Sequence, residues 1–277
     1  MICPALLKGC ACALALSVTA SSQVLMLDFG PTLATGASLT SSPHHFATAG
    51  FTDSTWNQIQ TTDITSGLLW SNNTAASALS VNIGATGDPT TRTINLATTP
   101  SSSLALGGTV NTGLYAGTSV ITDGIFNGSS GNSRAVGVQI GGLSAGTYDV
   151  YISGRNTNTA ATYDQNFYAS AGTAAGNFTF AETSSTTAAS GYQTASLAYV
   201  NGTTATTNWA QGGNYVKLTV TLTDDDVLNI AALGHTSGEL RGFLNMIQIV
   251  AVPEPSTFAL LAGLLGFGTA AALRRRR

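Results

Sequence analysis

Between Gln23 and Ala251 the sequence never sustains a helical period. Short runs alternate apolar and polar residues and break at clusters of Gly, Asn, Ser and Thr. A period of two puts successive side chains on opposite faces of an extended strand, so the pattern predicts an all-β body. Strands are expected at Val24 to Phe29, Leu79 to Ile83, Ala135 to Ile140, Tyr148 to Gly154, Gln165 to Ala169, Asn177 to Ala181, Thr194 to Val200, Tyr215 to Leu222, Val227 to Ala231 and Phe243 to Val250. Two pairs read as hairpins. In the first, Val136, Val138 and Ile140 lead through Gly141 to Gly146 into Tyr148, Val150 and Ile152; in the second, Val216 to Leu222 turn at Asp224, Asp225 and Asp226 into Leu228 and Ile230. An antiparallel β-sandwich would bury these stripes between two sheets. Residues 31–55, 86–111 and 183–190, rich in Gly, Ser and Thr, are expected to be long surface loops. No repeat of fixed period points to a solenoid or propeller.

The two ends differ from this body. Residues 1–22 carry one charge, Lys8, then an apolar run from Gly9 to Val18 and the small residues Val18-Thr19-Ala20. That order is that of a signal peptide cut after Ala20 or Ser22 by signal peptidase, with export through the Sec machinery. At the other end, residues 252–277 read Val252-Pro253-Glu254-Pro255, an uncharged stretch from Phe258 to Leu273, and Arg274, Arg275, Arg276 and Arg277. Sixteen residues of helix reach ~24 Å, a marginal membrane span. Arginines beside a span stay on the cytoplasmic side, which places the body outside. The Pro253 and Pro255 break and the basic stop argue against a buried core helix.

This tail resembles the PEP-CTERM sorting signal of Gram-negative bacteria. The resemblance covers about the last 26 of 277 residues. It implies that an exosortase-type membrane enzyme recognises the Pro-Glu-Pro element, cuts nearby and passes the protein to the cell surface, commonly in cells that make exopolysaccharide. A second resemblance is looser. Val138 to Asn156, with Gly142-Leu143 and Gly146-Thr147-Tyr148, and the run Phe243 to Val250 are similar to the central and closing strands of galactose-binding-type jelly-roll sandwiches. It implies a jelly-roll-like sandwich and, at most, a sugar ligand.

Removing both ends leaves roughly 230 residues (23–251), enough for a single domain that buries about 70% of its unfolded surface. Cys3, Cys10 and Cys12 all lie before residue 23, so the body has neither a disulfide nor a thiolate metal site. It carries five basic and twelve acidic side chains, a net charge of −7, and the bases are scattered. Nucleic-acid binding is therefore not expected. Ser and Thr make up roughly a quarter of the chain, which suits solvent-facing strand positions.

No motif compels a named reaction. Asp224-Asp225-Asp226 lacks the alternating spacing of a calcium loop and reads as a solvated turn. His44 and His45 follow Pro43 in a polar stretch and read as plain surface, and no H-E-x-x-H occurs with His235 or elsewhere. Glycoside hydrolysis needs two carboxyl groups with separate roles. Glu182 and Glu239 are the body's only glutamates, and an ion pair with Arg241 explains Glu239 as well. Neither a catalytic residue nor a metal or cofactor is expected. Sugar stacking needs exposed aromatic faces. Among Trp56, Trp70, Trp209, Tyr192 and Tyr215, the Gly-rich polar setting of Trp209 makes it the first candidate ligand platform, and Trp56, beside Asn57, Gln58 and Gln60, the second. The sequence reading is thus an exported, non-catalytic structural or carbohydrate-binding protein of the envelope or extracellular polysaccharide. The alternative is a polysaccharide-active lyase or hydrolase on the same sandwich.

Overall fold

A computed structural model describes residues 23–103, 113–129, 131–156, 164–197, 208–234 and 240–253. In chain order the strands are β1 (Val24–Phe29), β2 (Asn57–Ile59), β3 (Ser80–Ala85), β4 (Thr93–Ile94), β5 (Ser101–Ser103), β6 (Gly124–Phe126), β7 (Val136–Gly141) and β8 (Gly146–Ser153). They continue with β9 (Gln165–Gly172), β10 (Phe178–Thr179), β11 (Gln193–Leu197), β12 (Val216–Leu222), β13 (Val227–Gly234), β14 (Phe243–Leu244) and β15 (Met246–Ala251). One short helix, α1 (Pro43–Ala47), and 3-10 turns at Gly36–Thr40 and Gly113–Tyr115 are the helical elements described. None is long and apolar enough to cross a membrane, and the expected signal helix (1–22) and transmembrane helix lie outside the described residues.

Two five-stranded sheets carry the fold, in the orders β12-β8-β15-β1-β2 and β11-β9-β13-β7-β3. Pairing within them is antiparallel except for β1 and β2, which run parallel. The sheets close on one apolar core. Leu25, Leu27, Phe29, Val150, Ile152, Ile247 and Ile249 from the first face Val81, Ile83, Val138, Ile140, Phe167, Ile230 and Ala232 from the second. Alternation in each strand supplies this stripe, as the sequence pattern requires.

Neither expected hairpin exists. β7 pairs with β13 and β3, whereas β8 pairs with β12 and β15, so the segment between β7 and β8 crosses from one sheet to the other. The Asp224–Asp226 turn does the same between β12 and β13. The paired stripes meet face to face across the core, not edge to edge. The cause is visible at Gly142. It has a φ of +81°, and a Cβ there would lie 1.9 Å from the Ala78 carbonyl oxygen, so the chain leaves β7 pressed against the start of β3.

Both sheets are also covered on their outer faces. Val24 and Met26 of β1 pack with Trp56, Tyr115, Ile121, Tyr151, Trp209 and Tyr215, while Ala231 and Leu233 of β13 pack with Ile94, Tyr168, Phe178 and Phe180. The segment expected as an exposed loop over 31–55 instead holds α1 and forms part of the first cover. The closing strand, expected as one run, is broken at Asn245. This side chain has no solvent contact. Its amide N donates to Ser153 O, its carbonyl accepts from Phe29 N, its Oδ1 accepts from Arg155 N, and its Nδ2 donates to Asp123 O.

A Gly142→Ala substitution combines a left-handed φ with a backbone clash and should cost about 2 kcal/mol or more. Gly212→Ala, at a similar φ of +81° with nothing within 4 Å of the added Cβ, should cost about 1 kcal/mol. Urea denaturation of the two variants measures the difference, and equal losses would mean that the approach to Ala78 does not constrain the crossing.

Candidate functional site

The expected aromatic platforms are not exposed. Trp209 is 5% and Trp56 6% accessible, both inside the cover of the first sheet. Trp56 Nε1 donates to Leu39 O (2.9 Å) and Trp209 Nε1 to Ser41 Oγ (3.4 Å), while the Trp209 ring meets Tyr215 edge-on at 6.3 Å. Polar neighbours in sequence do not expose an indole when Tyr151 and Tyr215 supply an apolar wall for it. Trp70 packs against the main core, Tyr215 is buried, and Tyr192 is half-buried.

An exposed aromatic does lie beside Trp209. Phe46 is 63% accessible, the largest exposure among the large apolar side chains described. It sits on α1, which begins with Ser42 as N-cap and Pro43 in its first turn. Residues two apart on a helix point about 200° away from each other. Burying His44 therefore turns Phe46 outward. Together with Thr40, Ser41, Ser42, His45, Asn208 and Trp209, Phe46 lines a shallow depression of about 210 Å³.

The histidines are structural, contrary to the expected plain surface. His44 is 6% accessible, with its ring edge-on to Phe51 at 4.5 Å and tilted against Tyr151 at 5.8 Å. Its amide donates to Gln248 Oε1 at 3.1 Å, fixing α1 to the middle of β15. Burial, with a smaller push from His45, lowers its pKa to about 4. His45 holds Asp53 O through Nε2 (2.7 Å) and Ser42 Oγ through Nδ1 (2.5 Å). A carbonyl can only accept, so in neutral His45 the proton is on Nε2 and Nδ1 accepts from the serine hydroxyl. Burial lowers the His45 pKa as well. Ser42 has no solvent contact, so this Ser–His pair locks a turn and presents no nucleophile.

A second, more open groove of about 580 Å³ is lined by Thr90, Arg92, Ser133, Ser184, Ser185 and Thr186 with neighbouring residues. Arg92 is buried there, its guanidinium spent on Ser185 O, Pro89 O, Thr91 O and Ser133 Oγ. Two carboxyl groups that the sequence reading passed over are also buried. Asp28, on β1, has its pKa pushed up to about 8 by burial, against the Ala34 amide that lowers it, with Asp123 adding to the rise. Burial likewise pushes Asp123 up to about 6. At the Asp224–Asp226 turn, by contrast, Asp226 Oδ2 accepts from Thr223 N and Oγ1 in solvent, and the three carboxylates do not converge. Among the described residues no group of three or more His, Cys, Asp or Glu is placed to hold a metal ion. Val252 donates its amide to Thr147 O (2.8 Å), and Val252 and Pro253 are exposed. Glu254, Pro255 and Arg274 to Arg277 lie outside the described residues, as do His235 and Glu239, while Arg241 stacks over Phe126 and Phe243.

No protein-family model matches the chain, and no curated protein matches it. Among solved structures it is similar to a xanthan lyase from Paenibacillus, with 18% identity and a TM-score of 0.29. The likeness covers 61% of this chain and 14% of the lyase chain. So low a TM-score carries no argument about activity.

Because the folded protein holds His44 neutral down to about pH 4 while the unfolded chain protonates it near 6.5, its contribution to stability is complete above about pH 6.5. It is lost as pH falls toward 4. A His44→Phe variant should therefore lose less in Tm between pH 7 and pH 4 than the parent protein, read by thermal melts at matched ionic strength.

Proposed function

We propose that this protein is an exported, surface-sorted, non-catalytic carbohydrate-binding component of the bacterial envelope or its extracellular polysaccharide. The observation that carries the reading is the Phe46 ring, standing 63% exposed over a depression whose rim is hydroxyl and amide groups from Thr40, Ser41 and Asn208. An aromatic face beside such donors and acceptors is what a pyranose ring requires, one side of it being C–H and the edge hydroxyl. Trp209, almost fully buried, lines the same depression. The strand path lends further support. β1, β8, β12 and β15 lie in one sheet and β7, β9, β11 and β13 in the other. Two largely antiparallel sheets packed this way are compatible with a jelly roll, an architecture shared with lectin domains, although a fold does not by itself fix a function.

A shallow depression of this size holds one or two sugar units with low affinity, and many copies on a surface would raise it through multivalency. The net charge of −7 on residues 23–251 favours an uncharged segment of polysaccharide over a polyanion. Delivery rests on the termini. Signal peptidase and the Sec machinery act on residues 1–22, and an exosortase-type enzyme acts at Val252-Pro253-Glu254-Pro255 after the Arg274–Arg277 stop has held the tail in the membrane.

Affinity electrophoresis through gels containing the host's own polysaccharide tests the binding. Retardation is expected for the parent protein and its loss for Phe46→Ala, with an unchanged melting curve. Trp209→Ala should instead destabilise the fold by about 3–5 kcal/mol, as removal of a buried indole does. Unretarded parent protein, or retention of Phe46→Ala, would refute the reading. Sorting is tested separately. Replacement of Pro253-Glu254-Pro255 by alanines should leave full-length protein in the membrane fraction, and processing that continues unchanged would remove the assigned signal.

A further inference from the structure

We propose that Asp28 and Asp123 hold a hard divalent cation, calcium, in the turn that follows β1. The site goes beyond the carbohydrate reading and shares no residue with it.

Asp28 is 1% and Asp123 0% accessible. Both embrace the same turn. The Ala34 amide donates to Asp28 Oδ2 at 2.7 Å, and the Thr32 amide donates to Asp123 Oδ2 at 2.7 Å. Between those two amides and β1 lies Gly30, at a φ of +120°, where a Cβ would fall 2.5 Å from the Asp123 carboxyl carbon. The turn can close over Asp123 only because Gly30 has no side chain.

Each carboxylate thus has one oxygen fixed by a backbone amide and one left over. Asp28 Oδ1 and Asp123 Oδ1 are buried and have no hydrogen-bond partner, and neither has Thr122 Oγ1 on the residue beside Asp123. Buried polar atoms are satisfied in the great majority of native structures, so one orphaned oxygen on each of two carboxyl groups that hold the same turn, with an orphaned hydroxyl on the residue next to one of them, points to an occupant. An occupant that presents only positive charge to oxygen fits a pair of carboxylates. Two carboxylates balance the charge of a divalent ion. The available donors are all hard oxygens, with neither imidazole nor thiolate among them, which selects calcium or magnesium over zinc or copper. Calcium accepts six to eight oxygens in irregular geometry, so carbonyls and water complete a shell that Asp28, Asp123 and Thr122 begin. Magnesium demands a stricter octahedron.

Asn245 holds one wall of this site. Its Nδ2 donates to the Asp123 carbonyl, and Gly124, where a Cβ would lie 2.6 Å from that nitrogen, lets the two approach. The position of Asp123 is therefore set by the closing strand and that of Asp28 by β1. A cation bridging them would tie the 119–123 segment to the end of β1.

The test uses the full chain, stripped with chelator and titrated with calcium chloride alone, by equilibrium dialysis with radioactive calcium and by thermal melts. One calcium per chain is expected, with Tm raised by about 5–10 °C at a concentration a hundredfold above Kd. Asp28→Asn and Asp123→Asn should abolish both effects. Should either variant fail to fold, Thr122→Val decides. It removes one neutral ligand, and it should fold and bind calcium severalfold more weakly. Two results would overturn the site: a parent protein that binds no calcium and melts at the same temperature with and without it, which would leave the two carboxyl groups sharing a proton, or variants that fold and bind calcium as the parent does, which would move the ion elsewhere.

Discussion

Four hydrogen bonds converge on Asn245, at the point where the last strand of the protein passes from a small sheet to a large one. β14 ends in the three-stranded sheet with β6 and β5, and β15 begins in the five-stranded sheet between β8 and β1. Asn245 joins the two by holding Ser153, Phe29, Arg155 and Asp123 at once. A hydrogen bond of this kind contributes about 1 kcal/mol net, but a buried group left without its partner costs about 1–3 kcal/mol. The arrangement is accordingly worth far more as a unit than any one contact suggests. With every cysteine confined to residues 1–22, packing and such polar nodes are what hold the sandwich closed.

The node also positions what lies outside the main core. By fixing Phe29 it sets the end of β1, from which the turn carrying Gly30 to Ala34 departs. By fixing Asp123 it sets the segment that supplies Val120 and Ile121 to the outer cover. That cover holds α1 through His44 and Gln248, and α1 in turn displays Phe46. The path from a buried amide to an exposed phenyl ring runs through β1, β15 and one short helix. The electrostatics follow from the same burial. Water is excluded from the outer face of the first sheet, so His44 is held neutral and the carboxyl groups of Asp28 and Asp123 are pushed upward.

Much of the sandwich was legible in the sequence, because alternation reports directly which residues face a core. Val24 to Phe29, Ala135 to Ile140 and Tyr215 to Leu222 fall within a residue of β1, β7 and β12. Alternation does not say which strand lies alongside, so stripes that oppose each other across the core have the same sequence pattern as hairpins. Strands of two or three residues such as β2, β4 and β6 carry too few alternations to register. The candidate site was less legible. The sequence neighbours of Trp209 are polar, but Tyr151, well before it in the chain, and Tyr215, shortly after it, bury it. Phe46 could have been found by treating Ser42-Pro43 as a helix start and asking which aromatic then points away from His44. Asp28 was visible as a charge inside an apolar strand, whereas its counterpart, Asp123, is brought to it only by the tertiary fold.

The placement of β15 bears on how the protein withstands being pulled. Chain continuing past Pro253 leaves from the end of a strand flanked on both sides, by β8 and by β1, and the Val252 amide is already clasped to Thr147. Tension along that direction slides β15 lengthwise between its neighbours, so the ladder bonds bear the load together and do not open one after another like a zip. Drawing the chain out from this end therefore requires the bonds of β15 to both β8 and β1 to give way together, whereas an edge strand such as β2 can be peeled from a single neighbour.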